Sequence, residues 1–216
     1  GAKDVDVVYW GYDEDDFKNV GIRKEEKFQI VHAGILGEDR HAENFFIAIK
    51  ELCHELPDFE KKLSIRFFGK VDHSIKKSIL QNNLGHVAQL EGTKPRNEIL
   101  SIVTSASLLL LPLNKSENIN GRIPGKLFEY LRTQVPILCI GPQTSDVASI
   151  LSHTGAGKTF EYGDQTGIKD YIKVNYNSFL QGLKSSTSIE AIQQFNVVNQ
   201  TKSIAKLLDT RSNVKS

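Results

Sequence analysis

The chain has no excess of charge of either sign: 27 Lys and Arg stand against 26 Asp and Glu, a formal net charge of +1. Nothing in that balance calls for a nucleic-acid surface, which needs a basic face to attract phosphates. Cysteine is scarce too. Cys53 and Cys139 sit alone in apolar stretches, without metal-ligand or redox spacing, and are expected to be buried free thiols of a reducing compartment. The six histidines show no metal spacing, so no metal site is expected. Long hydrophobic runs are missing. The longest, Ala106 to Leu113, is short and broken by Pro112, so no membrane span is predicted, nor is a signal peptide. Gly1-Ala2 reads as an expression scar and the chain as a piece of a longer protein. No internal repeat or low-complexity segment occurs.

What is present is an ordinary globular composition, 39% hydrophobic and 25% charged, in 216 residues. That length suits one well-cored domain rather than two. Strand and helix patterns alternate. Strands are predicted over Phe28–Ala33, Leu63–Phe68, His86–Leu90, Ala106–Leu111, Val135–Ile140 and Gly157–Phe160. Helices are predicted over His41–Leu56, Ile75–Leu84, Asn97–Ser105, Lys126–Arg132 and Ser145–Leu151. The solid apolar run before Pro112 suits a strand covered on both faces. The fold class is therefore α/β, a doubly wound parallel sheet of Rossmann-like type. Gly167–Leu183 and Ala191–Leu208 follow as helices without strands, the latter with Val197, Ile204 and Leu208 on one face beside Leu207.

A doubly wound sheet binds ligands beyond the carboxyl ends of its strands. Two loops there carry unusual chemistry: Gly34–Arg40, and the stretch from Asn118 through Gly121, Arg122, Ile123, Pro124, Gly125 and Lys126 to Glu129. Gly121 and Gly125 leave the backbone bare and permit positive φ. Pro124 stands just ahead of a helix whose amide end attracts anions. Lys126 in the first turn opposes the helix dipole unless an anion lies between them. Glu129, one turn on, is placed to accept hydrogen bonds from a ribose. The loop thus suits a nucleoside diphosphate, but the same residues would also serve as plain turn residues, a solvated lysine and a surface glutamate. Thr154–Thr159 (TGAGKT) imitates a P-loop but has Ser152 where that motif needs glycine. His32 reads as a core histidine more readily than as a ligand contact. Asp13–Asp16 reads as a solvated lead-in turn rather than a metal site, and Ser145-Asp146 as a helix start.

Ile123 to Leu138 (IPGKLFEYLRTQVPIL) resembles the P-x-K-x-x-E-Y-x₅-P signature of retaining glycosyltransferases of the family 4, or group 1, type. The resemblance extends through Gly11–Phe17, His32–Gly34 with Arg40, Val87–Gly92, Ile99–Leu113 and the closing Phe195–Leu208. Such enzymes have two Rossmann lobes (type B), and the resemblance is to the C-terminal lobe, which holds the sugar nucleotide. It implies residues 11–184 as that lobe, residues 1–10 as tag remnant and lead-in, and residues 185–216 as a closing helix and tail. It assigns Glu129 to the ribose and Gly34, Arg40 and Gly121–Lys126 to the phosphates. Lys70, Gln89 and Leu90 stand near the expected base, and no catalytic residue is assigned. Two departures stand out. Ile35 occupies the position of a family arginine, leaving Arg40 at the lysine position. Gly121 stands where many members carry a sugar-facing glutamate.

The resemblance further implies a hexosyl donor, UDP- or GDP-linked, no other cofactor, and an acceptor held by a missing N-terminal lobe. The setting would be polysaccharide biosynthesis in the cytoplasm, with membrane contact through that missing lobe. Sugar-nucleotide epimerases or hydrolases of the same fold, and a non-enzymatic nucleotide-binding module, remain alternatives.

Overall fold

The computed structural model describes residues 5–23, 25–40, 42–183 and 187–213. Gly1-Ala2 and His41, the expected start of the first helix, lie outside the described residues.

Six parallel strands, β1 (Phe28–Ala33), β2 (Leu63–Phe68), β3 (Ala88–Gly92), β4 (Leu108–Pro112), β5 (Ile137–Ile140) and β6 (Gly157–Phe160), form one sheet in the order β3-β2-β1-β4-β5-β6. The helices are α1 (Glu43–Glu55), α2 (Phe59–Lys62), α3 (His73–Gln81), α4 (Arg96–Ser105), α5 (Lys126–Thr133), α6 (Asp146–Thr154), α7 (Gln165–Leu180), α8 (Ile189–Gln193) and α9 (Val197–Asn213). The sheet divides two cores. One packs Phe28, Phe45, Phe46, Phe59 and Tyr176 beneath α1 and α7; the other packs Leu100, Leu127, Phe128, Leu131 and Leu151 beneath α4, α5 and α6. All residues of β4 and β5 are buried, as an all-apolar strand between two helical layers requires.

The strand order reverses between β1 and β4, which lie side by side. The crevice expected of such a fold opens there. The two loops that the sequence marks leave the carboxyl ends of these same neighbouring strands.

Several boundaries differ from the sequence reading. β3 begins at Ala88 rather than His86, because Val87 is buried in the preceding turn, where its carbonyl accepts the Ile65 amide. α3 starts at His73, because Asp72 caps it by accepting the Ser74 amide at 2.8 Å. α2 follows Pro57-Asp58, where only a stop was expected. The final helix is two helices. Between them Phe195 turns into the core, packing edge-on to Tyr9 and against Phe128, while its carbonyl accepts the Tyr12 amide. Along α9 Val197 and Leu207 are half-buried, while Ile204 is 44% and Leu208 63% exposed. Ser145 caps α6 as expected, and Gly157 of the P-loop mimic opens β6 instead of a helix.

Candidate functional site

The site is built around Gly34, the residue after β1. Its φ is +123°, a conformation that favours glycine, and a Cβ there would lie 2.3 Å from Lys126 Nζ. The lysine ammonium therefore occupies the space a side chain would need. Lys126 is not the solvated residue of the plain-turn alternative. Its side chain runs back from the first turn of α5 to the end of β1 and is largely buried, which pushes its pKa down to about 8; Arg40 lowers it further and Glu129 partly offsets the fall.

Arg40 approaches from the other side, at the end of a 3₁₀ turn over Glu38–Arg40. Its Nη1 donates to the Pro112 carbonyl at the tip of β4, at 2.8 Å. Asp39 fastens this turn to the second loop, accepting from the Asn114 side chain while its carbonyl accepts the Lys115 amide. Arg122 stands close enough to Arg40 to depress the Arg40 pKa, after burial and against the opposing pull of Asp39. A pocket of about 250 Å³ lies between the loops, lined by Arg40, Leu113, Asn114, Ile119, Arg122, Ile123 and Pro124. That is below the roughly 300–1,000 Å³ of ordinary small-molecule sites, and fits a phosphate group rather than a whole sugar nucleotide.

Three cations thus stand near the switch point: Arg122 weakens the charged form of Arg40, and Arg40 that of Lys126. A bound anion would relieve that repulsion. At the start of α5 the Leu127 and Phe128 amides already donate to the Pro124 and Gly125 carbonyls, which seats the second loop against the helix.

His32, in β1 beneath this cluster, is 1% exposed and donates from Nδ1 to the Leu110 carbonyl at 3.0 Å. Burial first, and Lys126 next, push its pKa down to about 3, so the ring is neutral. The core reading of His32 stands. Tyr130, in contrast, carried no expectation from sequence. Its buried hydroxyl accepts the Ala33 amide at 2.9 Å, tying α5 to β1 one residue before Gly34.

The glycines of the second loop behave differently from their sequence reading. Neither Gly121 nor Gly125 has positive φ, and a Cβ on either meets nothing within 4 Å. They leave open space and are not conformational necessities. Gly121→Ala should accordingly change folding stability by less than about 0.5 kcal/mol in chemical denaturation; a large loss would mean that the loop is closed in solution.

Glu129 lies on α5 with its side chain 25% exposed, and its Oε1 is 2.7 Å from Arg96 Nη1. Arg96 is the site residue that sequence reasoning missed; it opens α4 after Pro95 and belongs to no motif. The residues considered for the base are spread out. Lys70 follows β2, its carbonyl accepting the Leu36 amide. Gln89 and Leu90 are the exposed second and third residues of edge strand β3, whose end is instead Glu91-Gly92. Glu91 is held by Arg66 at 2.6 Å.

A larger depression, of about 1170 Å³, runs along the β6 edge and the amino ends of β4 and β5. Among the described residues its charged lining is Glu25, Arg132 and Lys158, and Arg132 is paired with Glu14. Both cysteines are free thiols whose pKa burial pushes up, to about 11 for Cys53 and about 12 for Cys139. Among the described residues no group of His, Cys, Asp and Glu is arranged to hold a metal, and no helix is long and apolar enough to cross a membrane.

No family model and no curated protein matches the sequence. Solved structures do match in fold. Anabaena HepE in complex with UDP and glucose is 14% identical over 86% of this chain and 49% of that one, with a TM-score of 0.65. The pneumococcal O-GlcNAc transferase GtfA in complex with UDP and GlcNAc is 13% identical over 87% and 36%, with a TM-score of 0.60. The C-terminal domain of a group 1 family glycosyl transferase from Francisella tularensis is 14% identical over 82% and 89%, with a TM-score of 0.55. The chain spans about half the length of the Anabaena protein and most of the Francisella domain. It has the Rossmann-like α/β fold of a type B glycosyltransferase C-terminal lobe.

Proposed function

We infer that the chain is the donor-binding lobe of a glycosyltransferase and holds the diphosphate of a UDP- or GDP-sugar between Gly34, Arg40, Arg122 and Lys126. The observation that carries this is the gathering of cations at the switch point, where Arg122 lowers the pKa of Arg40 and Arg40 that of Lys126, with Arg40 and Arg122 lining one pocket. Such an arrangement stabilises a bound anion more than it stabilises the empty protein. Binding of UDP in two of the similar structures supports the choice of ligand.

In this reading residues 11–184 form the lobe, Gly125 and Lys126 bring backbone amides to the phosphates, and Glu129 accepts a ribose hydroxyl. Ile123 and Pro124 line the phosphate pocket. Lys70, Gln89 and Leu90 mark the side from which the base would enter, with Glu91-Gly92 closer to the strand end. The acceptor, and the groups that complete transfer, belong to an N-terminal lobe of the same protein, acting in the cytoplasm. Calorimetric titration of this chain with UDP, GDP and ADP tests the reading. One of the three should bind weakly, and Glu129→Ala should reduce that affinity about ten- to a hundredfold, the value of a hydrogen bond to a charged group. No heat with any of the three would overturn the nucleotide reading; unchanged affinity in Glu129→Ala would remove the ribose role.

A further inference from the structure

Glu129 lies within reach of two cations. Lys126, one turn earlier on α5, feels its charge; Arg96, on α4, holds its Oε1 at 2.7 Å. The same Arg96 guanidinium reaches Asp16 Oδ2 through Nη2, at 2.6 Å. Asp16 belongs to the 3₁₀ turn Glu14–Phe17, which Asp13 caps by accepting the Asp15 amide at 2.9 Å. That turn is itself firmly seated. Phe17 is buried with the Arg132 guanidinium 5.0 Å above its ring, and Glu14 pairs with Arg132 at 2.7 Å. The turn therefore grips α5 at two places: directly at Arg132, and through Arg96 at Glu129.

We propose that Arg96 is a positioning residue, anchored by Asp16, that holds Glu129 away from Lys126 and so keeps the lysine's charge available for the phosphates. This rests on the nucleotide reading above and adds a control on it. With Arg96 in place, one carboxylate oxygen is fixed and Oε2 is left to accept from a ribose. Without Arg96, the cations left for Glu129 on its own helix are Lys126 and Arg132; Arg132 is already paired with Glu14, so Glu129 would turn to Lys126, and pairing there would neutralise the phosphate cradle from inside. Because Asp16 lies in the opening turn of the lobe, a displacement of that turn reaches Glu129 through the Arg96 guanidinium, while Arg132 ties the same turn directly to α5.

The charged and titratable groups facing Lys126 are Arg40 from the Glu38–Arg40 turn, neutral His32 from β1 and Glu129 from α5. Of these, Glu129 alone is held by Arg96. Loss of Arg96 should therefore raise the pH at which Lys126 loses its proton, a change that a merely structural role would not produce.

The test is UDP binding by calorimetry, at pH values on both sides of that break, for the wild-type chain, Arg96→Met, Asp16→Asn and the double variant. Arg96 is 60% exposed, so these surface substitutions leave the core intact. Arg96→Met should weaken UDP binding about fivefold, the value of one net hydrogen bond, and shift the break upward. Asp16→Asn should do the same to a smaller extent, and should add nothing once Arg96 is gone. An additive loss, or an Asp16→Asn variant identical to wild type in affinity and break, would overturn the relay alone. Absence of UDP binding in the wild type would overturn it together with the nucleotide reading.

Discussion

Gly34→Ala should abolish most of the chain's affinity for a nucleoside diphosphate, by about ten- to a hundredfold. Two causes act together. Alanine at φ +123° adds backbone strain of about 1–3 kcal/mol, which chemical denaturation would read as lost stability. The new methyl group would also occupy the position of Lys126 Nζ, 2.3 Å away, and displace a charge-assisted phosphate contact worth about 1.5–3 kcal/mol. Gly121→Ala is the matched control, since its Cβ meets open space. If both variants bind UDP as the wild type does, the phosphates are not held against the end of β1.

Lys126→Met should move stability and binding in opposite directions. A methionine fills the buried channel with no charge to desolvate, so unfolding should become harder by about 1 kcal/mol. Binding should fall about ten- to a hundredfold, because the central phosphate contact is gone. The same lysine sets a pH dependence. Its pKa is pushed down to about 8 in the folded chain, against 10.5 for an unperturbed lysine. Charging Lys126 therefore opposes folding. The folded chain gains stability as pH rises from about 8 toward 10.5, and loses it on the way back down. Nucleotide affinity runs the other way. Above about pH 8 the empty site must take up a proton to bind, so affinity should fall with rising pH, and Lys126→Met should show neither trend. A flat pH profile in the wild type, or a destabilised methionine variant that binds normally, would contradict this role.

Much of the scaffold was legible because its strands are apolar runs that close on glycine. Phe28–Ala33 before Gly34 and Leu63–Phe68 before Gly69 fall where the sequence puts them, as does Gly157–Phe160, which opens on glycine instead. β3 was misplaced by two residues because an exposed edge strand, Ala88-Gln-Leu-Glu-Gly92, has no apolar run to mark it. The break before α9 went unread although Phe195 falls on the opposite side of a continuous helix from Val197, Ile204 and Leu208, and its contact with Phe128 and Tyr9 shows that it turns inward.

The site was half legible. Its two loops could be read from glycines, a proline and cations at strand ends. What could not be read is how they meet. The decisive glycine is Gly34, because a lysine ninety-odd residues away needs its missing side chain, whereas Gly121 and Gly125 merely leave space. Arg96 gave no signal at all, since a single arginine after Pro95 acquires meaning only from the carboxylates that α5 and the Glu14–Phe17 turn bring to it.

The most direct measurement is amide chemical-shift mapping of the isotopically labelled chain during titration with UDP. The expected result is a contiguous set of perturbed amides at Gly34, Arg40 and Gly121–Glu129, around the ends of β1 and β4. Perturbation confined instead to Ser107, Pro136's neighbours and Gly157, which line the larger depression at the other end of these strands, would contradict the central claim.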